Sequence, residues 1–356
     1  MEEHPPGPGE RETAVYALTP QGADLARRLA DALHGDLFLP APLAVRHGAR
    51  PFDGLLRAVV GTFPRYGRHV FVAAAGIVVR AIAPHIRTKE RDPAVVVLDS
   101  EGRFVVSLLS GHLGGANALA REAAAVTGGA PVITTATDTA GLPSWDLLAA
   151  ERDLAIADMA AVKALNMAML RGETVSVSDP ENRLGLFSGP GPSAAPVISV
   201  EEERLPEGGP AVTVTWRSEP GRPDRLVLHP RCLAAGVGCN RGTSAAEILE
   251  LLESTFASRG FARASLAGLA TIEAKRDEAG LLEAADRLGV SVTFYSAEAL
   301  RDVPVPTPSE TVKRHMGVES VCEAAAIKRA GGGRLLAPKV RSRNATLAVA
   351  LEGSSS

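Results

Sequence analysis

The sequence predicts an α/β protein with a doubly wound N-terminal domain, a small mixed α+β middle module and a compact C-terminal α/β domain. Three observations carry this. Short β-branched runs alternate with longer helical patterns through the first half of the chain, the signature of βαβ units and a mostly parallel sheet. The apolar residues are mainly Ala, Val and Leu, with aromatics at only 4%, which suits closely packed layers. At 356 residues, 46% hydrophobic and 22% charged, the chain is long enough for two or three cored domains and too apolar to be disordered throughout.

Residues 1–12 are acidic and Pro/Gly-rich without the apolar stretch of an export signal, so they are expected to form a disordered tail. The doubly wound domain is expected over residues 13–140. Ala14–Leu18 reads as its first strand, and Pro20–Leu33 as a helix because Leu25, Leu29 and Leu33 recur every four positions. Asp36–Leu39 (strand), Asp53–Thr62 (helix), His69–Ala74 (strand) and Ile77–Ile86 (helix) follow. Then come the strands Ala94–Leu98 and Phe104–Leu109, the helix Ala116–Val126 and the strand Pro131–Thr135.

The middle module is expected over 141–231. A helical pattern from Trp145 to Leu170 leads into an extended Thr174–Val177. The turn-forming clusters Gly189–Pro192, Leu205–Pro210 and Glu219–Pro223 then surround the strand-like runs Val197–Val200 and Ala211–Trp216. In the C-terminal domain, 232–352, Ser244 and Glu247 have the spacing of a capping box opening a helix that Gly260 ends. Glu278–Leu288 and Glu319–Ala330 read as helices, Ser291–Tyr295 and Ala345–Leu351 as strands.

Charge and apolar runs exclude several classes. Lys and Arg total 38 against 41 Asp and Glu, a net charge of -3, too balanced for the sequence-independent phosphate attraction of nucleic-acid binders. Runs such as Val70–Ala75 and Ala94–Leu98 fall far short of the ~20 residues of a membrane span. Cys232, Cys239 and Cys322 are too few and scattered for a disulfide framework, which points to a reducing cytoplasm. His34, His47, His69, His85, His229 and His315 lack ligand spacing, so no protein-bound metal is expected.

Four groups of residues have the chemistry of a site. Ser110, Gly111, His112, Gly114, Gly115 and Asn117 occupy a strand-to-helix turn whose free N–H groups and helix dipole favour an anion. Thr134, Thr135, Thr137 and Asp138 follow a strand end and are expected at the carboxyl edge of the sheet, the edge that also carries Gly76 and Arg80, with Lys89 and Asp92 in the next loop. Gly238, Cys239 and Arg241 belong to a second glycine turn before a capped helix. Lys275 and Glu278 flank another junction, and Ser309, Glu323 and Lys339 close the polar set. Each motif also has a structural reading: a glycine turn with its cap, helix-capping threonines, a solvated Lys89–Asp92 pair, a charged solvent face, or a spectator thiol at Cys239.

The strings Ala75–Arg80, Lys89 with Asp92–Val95, Leu108–Asn117 and Val132–Asp138, followed by Gly236–Gly242, Ile272 with Lys275 and Glu278, Phe294–Leu300, Pro308-Ser309 and Glu319–Ala326 with Lys339, resemble the cobalt-precorrin-5A hydrolases, the CbiG family of anaerobic cobalamin biosynthesis. The resemblance runs through most of Ala14–Leu351, the stretch from about Glu151 to His229 matching only in kind. It implies a ring-contracted cobalt corrinoid as substrate, fringed with carboxylates and bearing a δ-lactone. Water opens the lactone, and a two-carbon unit leaves as acetaldehyde to give cobalt-precorrin 5B. Cobalt arrives with the substrate, so no cofactor is expected. The partners are the corrinoid and water, with no nucleic acid and no membrane, and a homodimer is compatible with this reading. His112 is the leading acid/base candidate and Glu278 the second, with backbone N–H groups of the Ser110–Asn117 turn on the lactone oxyanion. The other residues of the four groups are expected to bind substrate. Against this stand a non-catalytic tetrapyrrole carrier, a methyltransferase, and a nucleotide-binding enzyme, the last disfavoured by the missing fingerprint.

Overall fold

The computed structural model describes residues 12–88, 91–186, 198–200, 205, 208–310, 314 and 317–353; Lys89, His315, the Gly189–Pro192 cluster and nearly all of the expected tail lie outside them. The chain divides into two compact units, Met1–Leu147 and Leu148–Ser356. No helix among the described residues is long and apolar enough to cross a membrane.

The first unit runs β1 (Thr13–Ala17), α1 (Pro20–Ala32), β2 (Asp36–Pro40), α2 (Ala41–His47), β3 (Arg50–Phe52), α3 (Leu55–Thr62), β4 (Arg68–Val72), α4 (Ala75–Ile82), β5 (Ala94–Leu98), β6 (Phe104–Leu109), α5 (Ala116–Thr127), β7 (Ala130–Val132) and α6 (Ala136–Thr139). Its seven-stranded sheet has the order β3-β2-β1-β4-β5-β6-β7. Alternate residues of β1 face opposite layers. Val15 and Ala17 pack with Leu25, Leu29 and Leu119 of α1 and α5, whereas Ala14 and Tyr16 pack with Val59, Val78 and Ile82 of α3 and α4. Thr19 caps α1 by accepting the Gly22 N–H at 3.2 Å, and Pro20 opens it.

One expectation about this sheet is overturned. β1 to β5 are parallel, but β6 runs antiparallel to β5, with Leu109 opposite Val95, and β7 is parallel to β6. The ends of β6 and β7 therefore lie at the edge where β4 and β5 begin, opposite the edge carrying Gly76 and Arg80. The single helix expected from Trp145 to Leu170 is also broken. It resolves into α7 (Trp145–Glu151), β8 (Leu154–Ile156) and α8 (Met159–Leu170), because Asp153 turns left-handed at φ 51° and Asp158 caps a fresh start by accepting the Ala160 N–H at 2.8 Å.

The second unit continues with β9 (Val175–Ser178), β10 (Ile198–Val200), β11 (Ala211–Val214) and β12 (Arg225–Pro230), which with β8 form a five-stranded sheet ordered β10-β9-β11-β12-β8. A third sheet, β15-β14-β13-β17-β16, is built from β13 (Leu233–Cys239), α9 (Ala245–Arg259), β14 (Leu266–Ile272), α10 (Ala279–Leu288), β15 (Val292–Tyr295), α11 (Ala297–Arg301), α12 (Val321–Arg329), β16 (Arg334–Arg341) and β17 (Ala345–Leu351). These two sheets share one unit, where the sequence separates them at 232. Ala262 N–H donates to Trp216 O and Ser218 N–H to Gly260 O, both at 2.9 Å, tying them together. Trp145 is fully buried and Asp146 joins the polar network around His112, both within the first compact unit.

β13 carries Gly236 and Gly238 inside the strand and not in the turn expected of them. At Gly236 the reason is contact: a Cβ there would lie 1.8 Å from Cys322 O and 2.7 Å from Ala326 N of α12. Gly236→Ala is accordingly expected to destabilise by on the order of 3 kcal/mol through overpacking, read as a lower urea midpoint; an unchanged midpoint would contradict this helix–strand approach. Gly61, in α3 with nothing within 4 Å of a built Cβ, gives the opposite expectation: Gly61→Ala should raise the midpoint, by about 0.5–1 kcal/mol of stability.

Candidate functional site

The turn after β6 brings the first polar cluster together. Ser110 adopts a left-handed φ of 59°, and its hydroxyl oxygen is buried without a hydrogen-bond partner among the described residues. Gly114 is a glycine by necessity, since a Cβ would lie 2.3 Å from that of Ser110, and Gly115 caps α5 at φ 82°. Three amides of the expected backbone cradle are bonded within the turn. Gly115 N–H donates to His112 O at 2.8 Å, Ala116 N–H to Ser110 O and Asn117 N–H to Gly111 O, both at 3.0 Å. The turn's distinctive offering is therefore the His112 side chain.

His112 is clasped between two carboxylates. Nε2 lies 3.0 Å from Asp138 Oδ2 and 3.2 Å from Thr137 Oγ1, while Nδ1 lies 3.1 Å from Ser144 Oγ and 3.6 Å from Asp146 Oδ2. Ser144 also donates to Asp146 Oδ1. Asp138 is fixed from several sides, accepting from Thr135 Oγ1 at 2.6 Å, Asn117 Nδ2 at 2.9 Å and Arg121 Nη2 at 2.7 Å. Ser107 in turn donates to Asn117 Oδ1 at 2.7 Å. The hydrogen bond to Asp146, opposed by burial and aided by Asp138, raises the His112 pKa above its ordinary value. Burial works to raise Asp146, but His112 and Ser144 outweigh it and draw that carboxyl down to about 2. Both effects favour an imidazolium donating from both nitrogens.

His112, Asn117, Thr135, Thr137 and Asp138 are thus brought together as the sequence anticipates. Thr134 is exposed and makes no side-chain hydrogen bond among the described residues. Arg80 donates to Gly76 O at 2.8 Å, both exposed at the opposite edge of the sheet. Asp92 accepts the Arg87 N–H through both oxygens, at 2.9 and 3.1 Å, and so braces its own loop. Sequence reasoning missed Ser107, Arg121, Ser144 and Asp146. Ser144, immediately ahead of a helix with Asp146 in its first turn, is a legible helix start.

The second unit contains a separate cavity of about 720 Å³, lined by Gly238, Cys239, Arg241, Lys275, Ser309 and Lys339, all six residues anticipated to bind there. Arg341 and Arg343 line it too, and no Asp or Glu does. The expected glycine-turn donor is occupied: Gly242 N–H donates to Glu278 Oε1 at 2.6 Å. Glu278, expected to serve the second proton transfer or to carry a bound water, is 4% exposed and is not among the lining residues. Arg241 pairs with Asp277 at 2.8 Å. Burial pushes the Cys239 thiol up, only partly countered by Lys275, so it remains a neutral thiol.

Two carboxylates shape the rest of the wall. Glu323, fully buried, accepts from Lys339 N–H at 3.0 Å and Thr307 Oγ1 at 2.7 Å, while Lys339 Nζ donates to Thr307 O. Glu247 completes only half of the expected capping box. Its N–H is 3.3 Å from Ser244 Oγ, but its carboxylate turns to the hairpin between β16 and β17, accepting from Ser342 Oγ and Asn344 N–H, both at 2.6 Å. Lys339, Arg341 and Arg343 recur every second residue and all line the cavity, a basic spacing that stands in the sequence.

Three family profiles match the chain in order: Cobalamin synthesis G N-terminal over 57–138, Cobalamin biosynthesis central region over 143–230 and Cobalamin synthesis G C-terminus over 233–350. The Cobalt-precorrin-5A hydrolase of Priestia megaterium is 34% identical over 352 residues, covering 95% of this chain and 94% of the relative. That of Salmonella typhimurium is 34% identical over 345 residues, covering 94% and 96%. The crystal structure of cobalamin biosynthesis protein chiG from Agrobacterium tumefaciens aligns with 34% of this chain and 98% of its own, at 35% identity and a TM-score of 0.28. With all three profiles matched in order and relatives alike over nearly their full length, the chain belongs to the CbiG family.

Proposed function

We propose that this chain is a cobalt-precorrin-5A hydrolase, opening the δ-lactone of a ring-contracted cobalt corrinoid and releasing acetaldehyde to give cobalt-precorrin 5B. The observation that carries the chemistry is His112, its ring set between the carboxylates of Asp138 and Asp146 with 17% of its side chain exposed. As water adds to the lactone carbonyl and the ring C–O bond breaks, His112 delivers its proton to the departing alkoxide. Both protons of the attacking water pass to solvent, one as the water adds and one from the new carboxylic acid. The imidazole, now neutral, is the base for the second step. It takes back a proton from the hydroxyl just formed, the carbon–carbon bond breaks, acetaldehyde leaves, and the electron pair enters the conjugated macrocycle. One residue thus serves as acid and then as base. Cobalt enters as part of the substrate, and the basic cavity of the second unit suits the macrocycle's carboxylates.

His112→Gln is expected to cut anaerobic acetaldehyde release by about 10²–10⁴-fold. Undiminished release would remove His112 from the chemistry, and stoichiometric corrinoid binding without release by the parent protein would identify a carrier instead.

A second expectation concerns the clasp. Asp146→Asn should lower the His112 pKa, followed by NMR of the ring protons. Because His112 is raised above its unfolded 6.5, its share of stability is complete below that value and is lost as pH rises through the folded one. Asp146, drawn down to about 2, contributes above its unfolded 3.8 and loses its share as pH falls through that lower value. The variant should therefore be most destabilised between ~pH 4 and 6.5, and a deficit that instead grows above pH 9 would contradict the pairing.

A further inference from the structure

The cavity of the second unit holds a cation that its surroundings do not satisfy. Lys275 is 6% exposed, and among the described residues its ammonium has no hydrogen bond and one ion pair, to Glu278 Oε2 at 3.8 Å. That oxygen is also buried without a hydrogen-bond partner, since Gly242 is bound to the other one. An ammonium carries three donors, and leaving them unmade away from bulk water is costly. Arg341 and Arg343 on the same cavity have no carboxylate within 4.0 Å among the described residues, and no acidic side chain lines the space. The cavity therefore lacks anionic acceptors of its own, and an incoming carboxylate would supply them.

We propose that Lys275 is the specificity-determining residue for one free carboxylate of the macrocycle, and that Glu278 is a positioning residue that holds the ammonium at the cavity wall. This rests on the reading of the substrate as an acid-fringed corrinoid. A neutral ester in the same place would leave the ammonium unpaired, so the site discriminates by the bond it fails to make. Glu278 acts only through Lys275, being anchored by the Gly242 N–H and lying outside the lining.

The test uses the full chain with two probes, a cobalt corrinoid whose acetate and propionate arms are free acids and the same corrinoid with every arm methyl-esterified, in anaerobic equilibrium dialysis read by absorbance. The parent protein is expected to prefer the free acid by about tenfold or more, and Lys275→Met to lose a measurable part of that preference, the other cavity cations keeping the rest, while binding the ester as before. In turnover the variant should raise KM with kcat unchanged, the mark of binding made equally in ground and transition states. Because Lys275→Met alone strands a buried carboxylate, the double variant Lys275→Met with Glu278→Gln removes both charges and should keep a parent-like Tm without recovering the preference. Glu278→Gln alone should raise KM and leave the pH profile of kcat in place; a displaced profile would make Glu278 a proton-transfer group and overturn its positioning role. A folded double variant that still prefers the free acid as the parent does would overturn the assignment of Lys275. A parent protein that shows the Lys275-dependent preference but releases no acetaldehyde would support the subsite and defeat the hydrolase reading.

Discussion

A carboxylate taken out of water must be given hydrogen-bond donors, and in this chain the donors it receives come from the loops that carry the site cations. Asp138 gathers Thr135, Asn117, Arg121 and His112 onto one side chain, joining the turn after β6 to the segment after β7. In the second unit Glu278 binds the Gly242 amide beside Lys275, Glu323 binds the backbone of Lys339, and Glu247 binds the hairpin between Arg341 and Ala345. Truncating any of these acids releases a loop as well as a charge. These carboxylates anchor the irregular segments, which a site built on loops requires.

Direction in the first sheet decides which loops can meet. The connection Asp99–Arg103 is too short to carry a crossover, so β6 must return antiparallel to β5. Asp99 pins that return, accepting the Phe104 N–H at 2.8 Å and the Glu101 N–H at 2.9 Å. One reversed strand then places the loops that follow β6 and β7 at the other edge. It separates the His112 cluster from Gly76 and Arg80 and joins it to Thr135 and Asp138.

Much of the fold was legible because packing follows local periodicity. The paired faces of β1, the leucine stripe of α1 and the Ser244 cap of α9 all stand in the sequence. What failed to read locally was set by partners far along the chain. The strand sense of β6 depended on a loop length that was visible but unused. Asp146 was hidden because it meets His112 from 34 positions away, a distance no local pattern spans. Gly236 and Gly238 resembled a ligand turn, yet at Gly236 the close neighbour is the backbone of α12, a contact no local pattern announces. The C-terminal basic residues read well, because a cation with no nearby acid in the sequence is conspicuous, and Lys339 failed only to bring Arg341 and Arg343 with it.

The two clusters use positive charge in opposite ways, and the difference follows from their acids. His112 has a carboxylate on each side, so its proton is favoured and its charge is already answered; such a group is suited to lending a proton and retrieving it, and poorly suited to gripping an anion. Lys275 has one carboxylate at a distance too long for a hydrogen bond, and Arg341 and Arg343 have none within pairing range among the described residues. Their charge remains available to an incoming acid. At the glycine turns and helix starts of both units, the Gly115, Ala116, Asn117 and Gly242 amides are already bonded to His112 O, Ser110 O, Gly111 O and Glu278. What separates the proton-handling cluster from the acid-binding cavity is therefore the number of carboxylates already spent on each cation.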